Sequence, residues 1–443
     1  MNTMETYFND VAALLDRSLA PGEIHMCRLD AEVSDFVRMN RGKVRQPGTV
    51  SQRYLSLRLV RGRRHAERAI TVSGDLARDR ADIVTALRLL RDAVDDLPDD
   101  PHLDFATDVC STRTVKSSCL AHSEQIVASV LAAAQGLDLV GIYAAGPVYR
   151  GFANSFGQRN WHEVSSFNLQ WSLYHRADKA VKTSYGGFEW SPADFAAKMS
   201  EARDRLALLA SPARSLEPGR YRAYLAPSAM EELAGLLCWG GFSGRALATR
   251  QSCLFRMQDG TTVLDPAIAF AENIADGIAP AFQDDGFPRP DQVPLVAEGR
   301  LVGSLVSPRT AKEFALATNG ANAAEMPEAL DMAAGALPLA ETLAALDSGI
   351  YVGNLWYLNF SDRPACRVTG MTRFASFWVE HGRIVAPVNV MRFDDSVYRL
   401  LGDHLVGLTR ERELVVNGDT YRARNVASMR LPGAVVSEMA FTL

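Results

Sequence analysis

The stretch from Ala223 to Gly244 (AYLAPSAMEELAGLLCWGGFSG) restricts the fold of this chain more than any other. Ala223–Ala226 is short and apolar, Pro227 ends it, and an amphipathic helix follows. Met230, Leu233, Ala234 and Leu237 recur at helical spacing and give that helix one buried face. Ser228 and Glu231 have the Ser-x-x-Glu spacing of a capping box, and Gly240-Gly241 ends the helix. A strand running straight into a helix is a rigid mount for a metal or a nucleophile. This helix carries no His, and none occurs anywhere between His175 and His381.

At 443 residues the chain has room for about two or three domains and a sizeable core. Hydrophobic residues at 47% and charged residues at 22% fit an ordinary globular protein. A formal net charge of −5 gives no electrostatic case for nucleic acid or an anionic membrane. The exception is local: Arg58–Arg68 (RLVRGRRHAER) is rich in arginine and reads as a solvated strand edge and turn rather than a phosphate site. The N-terminal stretch MNTMETYFNDVAALLDRSL is an amphipathic helix with acidic residues, unlike a secretory leader. No window approaches the roughly 18 apolar residues of a membrane span. Cys27, Cys110, Cys119, Cys238, Cys253 and Cys366 are scattered without a C-x-x-C pair, as expected of buried thiols in a reducing cytoplasm.

The pattern along the chain is α+β. Residues 1–105 make a first α+β unit: a helix, strand-like runs at Ile24–Leu29, Val33–Met39 and Leu55–Val60, turns at Arg41-Gly42-Lys43 and Arg61-Gly62-Arg63, and a helix over Asp79–Ala93. The acidic, Pro-bearing run Asp95–Pro101 marks its end. A second unit, 106–210, is expected to pack with the first. It holds a helix over Ser123–Gln135, strands at Leu137–Ala144, Val148–Ala153, Glu163–Tyr174 and Lys179–Tyr185, and a helix over Asp194–Leu209. Residues 211–443 form a mainly antiparallel, β-rich C-terminal domain with hairpin turns at Glu298-Gly299 and His381-Gly382. Short strands are expected at Thr261–Leu264 and a helix over Asp394–Leu401.

Few constellations could carry chemistry. His162-Glu163 completes neither zincin spacing and lies in an alternating strand pattern, and His122-x-Glu124 opens a helix. Zinc needs three protein ligands on rigid supports, and no cluster provides them. The Gly-flanked Ser243 and Ser304 lie outside G-x-S-x-G, and neither of the two common phosphate-loop signatures occurs. Two polar stretches remain. Gln283–Pro288 (QDDGFP) packs Asp284 and Asp285 into a turn. Arg367–Phe377 (RVTGMTRFASF) sets Arg373 between aromatics, with Tyr351, Trp356, Tyr357 and Asn359 upstream. Such a surface can line a groove for an extended peptide, and it can equally be an aromatic core.

GRYRAYLAPSAMEEL, FQDDGFPRP, VPLVAEGRLVGSLVSPRTAKEF, ATNGAN and RVTGMTRFASFWVEHGRIVAPV follow one another in this order and resemble the TldD/PmbA family. The matches span most of 211–390, and VRMNRGKV fits more weakly. The resemblance implies an α+β fold, a cytoplasmic location and a dimer around a central cavity. TldD-like members are zinc metallopeptidases with His-Glu-x-x-x-His on a helix that follows a strand, completed by a Cys; they cut unfolded peptides or remove leader peptides. The corresponding helix here reads SAMEELAGLLCWG and lacks both His. That departure implies a PmbA (TldE)-like subunit with no catalytic residue and no metal of its own, zinc being expected in a TldD-like partner. A homodimer that only binds peptide is the alternative. Asp285, Tyr351, Asn359 and Arg373 are the expected peptide contacts. The family's older description as modulators of DNA gyrase finds no support in the charge.

Overall fold

The computed structural model describes residues 3–116, 120–176 and 179–442; Cys119 lies outside them. The N-terminal region runs α1 (Met4–Ser18), β1 (Glu23–Asn40), β2 (Lys43–Arg61), β3 (Arg64–Thr71), α2 (Leu76–Val94), β4 (Arg113–Lys116), α3 (Ser123–Ala133), β5 (Asp138–Asn154), β6 (Arg159–Arg176), β7 (Lys179–Gly187) and α4 (Pro192–Leu209). Its strands form one seven-stranded sheet in the order β3-β2-β1-β5-β6-β4, with β7 also on β6. Strands from either side of residue 105 therefore share a sheet, through the antiparallel β1–β5 pair.

Several runs that looked separate in sequence are single long strands. Ile24–Leu29 and Val33–Met39 both lie in β1, and Leu137–Ala144, apart from Leu137 itself, and Val148–Ala153 both lie in β5. Gly146-Pro147 breaks the apolar alternation of β5 without ending it. The β1 backbone passes so near that a Cβ on Gly146 would sit 2.2 Å from the Val33 carbonyl oxygen, so only glycine fits there; the β1–β5 ladder skips Val33 and Ser34 and keeps its register on either side, while β6 pairs straight through. The β1–β2 turn uses Arg41 (φ 52°) and Gly42 (φ 64°), both left-handed, the geometry that lets a two-residue loop match strand twist. Leu29, Leu55, Leu57 and Leu59 meet Ile83, Leu87, Leu90 and Val94 of α2 and the apolar face of α1 in one core.

The C-terminal region continues β8 (Gly219–Leu225), α5 (Pro227–Cys238), α6 (Gly244–Ala248), α7 (Phe255–Gln258), β9 (Phe270–Asn273), β10 (Gln292–Ala297), β11 (Arg300–Leu301), α8 (Pro308–Phe314), β12 (Ala329–Met332), α9 (Thr342–Leu346), β13 (Gly349–Asp362), β14 (Arg367–Glu380), β15 (Arg383–Pro387), β16 (Arg392–Ser396), α10 (Val397–Leu400), β17 (Leu405–Val416) and β18 (Ser428–Phe441). They build an eleven-stranded sheet in the order β11-β10-β9-β12-β18-β16-β14-β13-β8, with β15 on β14 and β17 on β18. A further β18–β8 pairing closes β8, β13, β14, β16 and β18 into a ring, which removes exposed edges. Most pairs are antiparallel; β12–β18 and β13–β8 are parallel. Met230, Leu233, Ala234 and Leu237 of α5 enter the core inside this ring.

Three local expectations change. Thr261–Leu264 is irregular. Asp394–Leu401 is half strand and half short helix, because Asp394 and Asp395 pair with Thr369 and Val368 of β14 before Ser396 caps α10. The capping box does not form: Pro227 occupies the first helical turn, Ala226 is the N-cap, and Ser228, already inside the helix, donates to the Gly353 carbonyl at 2.7 Å. No helix among the described residues is long and apolar enough to cross a membrane.

Candidate functional site

The β8–α5 junction opens onto a cleft of about 640 Å³ between the two regions. One wall comes from β7 and α4 (Lys182, Thr183, Ser184, Lys198, Glu201, Arg205), the other from β8, α5, β13 and β17 (Tyr224, Ser228, Glu231, Glu232, Tyr351, Asn354, Glu413). The strand-to-helix turn places α5 here: Ala226 N–H bonds the Val352 carbonyl at 3.0 Å, which ties the start of the helix to β13. With one face of α5 in the core, its first turns point Ser228, Glu231 and Glu232 outward into the cleft.

The cleft is strongly charged. Glu201, Glu231, Glu232, Glu411 and Glu413 line it with Lys182, Lys198 and Arg205. Some of these charges are matched. Lys198 bonds Glu413 at 3.0 Å, Arg205 bonds Glu201, and Glu411 accepts from the Leu339 N–H at 2.8 Å. Glu231 and Glu232 have no ion-pair partner among the described residues. Burial, then the neighbouring Glu232 charge, pushes the Glu231 carboxyl up to about 7; burial also raises Glu232. Arg205 also hydrogen-bonds the Tyr351 hydroxyl and lies 4.9 Å from that ring's centre. Burial pushes the Tyr351 phenol up to about 12, so it stays protonated.

The expected peptide contacts are not brought together. Tyr351 lines the cleft. Arg373 faces Asn354 across the β13–β14 ladder and stacks on Trp356, its guanidinium 4.0 Å from the ring centre. Asn359 lies farther along β13, exposed, its side chain accepting from the Phe360 N–H at 2.8 Å. Asp285 is elsewhere: it pairs with Arg58 of β2, while Asp284 pairs with Arg28 of β1. The Gln283–Pro288 turn is thus a clamp between the two regions, and Gly286 (φ 87°) fits tightly over Phe152. Two further arginines of Arg58–Arg68 meet acids as well: Arg61 bonds Glu23 at 2.9 Å and Arg64 bonds Asp99 at 3.0 Å. Glu201, Arg205, Lys182, Lys198 and Glu413 were not singled out from sequence. They come from three separated elements, β7, α4 and β17, and only packing assembles them.

A catalytic zinc does not fit this donor set. It needs three protein ligands, in practice imidazole, thiolate or carboxylate converging on one point. The outward face of α5 offers a hydroxyl and two carboxylates adjacent in sequence, which do not face each other. Cys238 is buried in the core, where burial raises its thiol pKa. Among the described residues no three His, Cys, Asp or Glu side chains are grouped to hold a metal. His162 is a structural residue: buried, it bonds the Ile278 carbonyl through Nε2 at 2.8 Å, and burial lowers its pKa to about 4, so it is neutral.

Residues 218–443, which span β8, α5 and the closed ring, match the family model described as the PmbA/TldA metallopeptidase C-terminal domain. The chain belongs to the TldD/PmbA family of metallopeptidase-related proteins. Its whole length is similar in fold to TldE from Thermococcus kodakarensis (TM-score 0.79, 12% identity, covering 99% of this chain and 100% of that one). It is likewise similar to two structures described as putative modulators of DNA gyrase. The one from Bacteroides thetaiotaomicron has a TM-score of 0.78 and 15% identity and covers 100% of both chains. The one from Thermotoga maritima has a TM-score of 0.75 and 14% identity, covering 99% of this chain and 100% of that one. No curated protein matches the chain.

Proposed function

We propose that this chain is the non-metal, TldE-like subunit of a TldD/TldE-type peptidase, supplying part of the chamber wall and gripping an extended peptide, with zinc and catalysis in a TldD-like partner. The observation that carries this reading is the outward face of α5. In the strand-to-helix position where the family's peptidases hold imidazoles, it presents Ser228, Glu231 and Glu232 to an open cleft. The fold likeness to a protein named TldE supports the same assignment. In this reading the complex is cytoplasmic and degrades unfolded or modified peptides, or removes leader peptides.

The test is a pull-down of the tagged chain from its native host. A co-purifying protein with His-Glu-x-x-x-His, at equal stoichiometry, is expected, with chelator-sensitive peptide cleavage by the pair and none by this chain alone. Cleavage by the pure chain would sink the proposal. Recovery of a stable homodimer that binds peptide without a partner would make it a stand-alone peptide-binding protein.

A further inference from the structure

A second, larger groove of about 1000 Å³ lies over the β1–β2 hairpin and the adjoining faces of β5 and β6. Phe36, Val50 and Val140 are among its apolar lining residues. Its charged lining is Arg38, Arg45 and Lys182, and no Asp or Glu lines it. The hairpin tip explains the bias: residues 36–50 (FVRMNRGKVRQPGTV) carry Arg38, Arg41, Lys43 and Arg45 and no acidic residue. Arg38 and Arg45 are exposed and, unlike Arg58, Arg61 and Arg64, have no ion-pair partner among the described residues. Gln170 and Lys182 line both this groove and the cleft beside α5, so the two cavities adjoin. Beyond this junction the cleft presents Glu231 and Glu232, which have no ion-pair partner among the described residues and feel the Lys182 charge.

We propose that groove and cleft form one charge-polarised channel that takes an extended peptide, with acidic residues against Arg38 and Arg45 and a cationic group against Glu231 and Glu232. This rests on the peptide-binding reading above and adds to it a substrate class: peptides whose acidic and basic residues are segregated along the chain. A polyanion such as nucleic acid fits the groove only, because the glutamates of the cleft would repel it. Unpaired charges of opposite sign in the groove and in the cleft fix which peptides enter, and in which orientation, more than how tightly they bind. The apolar lining contributes affinity without regard to that order.

The test uses three fluorescently labelled, unstructured peptides on the full chain, or on its complex if a partner co-purifies. One has an acidic block followed by a basic block, one has the same residues alternated, and one is uncharged. The segregated peptide is expected to bind about tenfold more tightly than the alternated one at low salt, with the gap closing as salt rises. The Arg38→Glu/Arg45→Glu double variant should abolish that preference, with an unaltered melting curve showing that the fold survives. Equal binding of segregated and alternated peptides would overturn the polarised channel and leave the peptide-binding reading standing. If none of the three binds, the peptide-binding reading falls, and this inference with it.

Discussion

Glu231 shows how much a single position depends on what surrounds it. On an isolated helix it would be a solvated carboxylate; in the cleft, burial and Glu232 push it from an ordinary 4.5 up to about 7. The folded chain therefore holds this proton more tightly than the unfolded chain does. Between those two values folding takes up a proton, so the contribution to stability is most favourable below 4.5 and is lost as pH rises toward 7. Glu231→Gln removes the titration. Its melting temperature relative to the parent should be more positive at pH 8 than at pH 5, measured by thermal denaturation at both. An identical difference at the two pH values would show that Glu231 titrates normally. Asp285 is the opposite case, a residue that looked like a ligand and is bound within the fold. Asp285→Ala leaves Arg58 with only Glu67, at 3.2 Å, and should cost about 1–3 kcal/mol in chemical denaturation. It should not change peptide affinity. Weakened binding with unchanged stability would return Asp285 to the peptide site.

At the scale of elements, α5 has two jobs on two faces. Its inner face buries Met230, Leu233, Ala234 and Leu237 in the ring core. Leu233→Ala opens a cavity there and should destabilise the protein by about 2–5 kcal/mol, read as a lower denaturant midpoint with unchanged cooperativity. A loss under about 1 kcal/mol would mean the site collapses around the smaller side chain. The 3.6-residue period made this face legible from sequence, because burial on one side of a helix leaves a repeating signature. The start of the helix was misread: Ser-x-x-Glu spacing is common to capping boxes and to ordinary first turns, and Pro227 decided between them by fixing the N-cap two residues earlier, at Ala226. Strand ends were misread for a related reason. Gly146-Pro147 looks like a break when only local preference is weighed, and β6 alongside holds it in register.

For the whole molecule, the sequence by itself determined the α+β class, the β-rich C-terminal region, the main turns and helices, and the family. All of these depend on residues close together along the chain: periodicity, glycine at left-handed positions, and runs of characteristic motifs. The absence of imidazole from α5 was equally plain, since one helix carries it. The tertiary structure decided the rest. It joined strands on both sides of residue 105 into one sheet, closed the C-terminal strands into a ring, and turned the paired aspartates into a clamp on Arg28 and Arg58. It also gathered Lys182, Glu201, Arg205, Glu231 and Tyr351 around one cleft. No local pattern marks such a set, because the charges that meet there are far apart in sequence. Whether a given Arg or Glu is neutralised or left free for a ligand depends on partners that only the folded chain brings within reach.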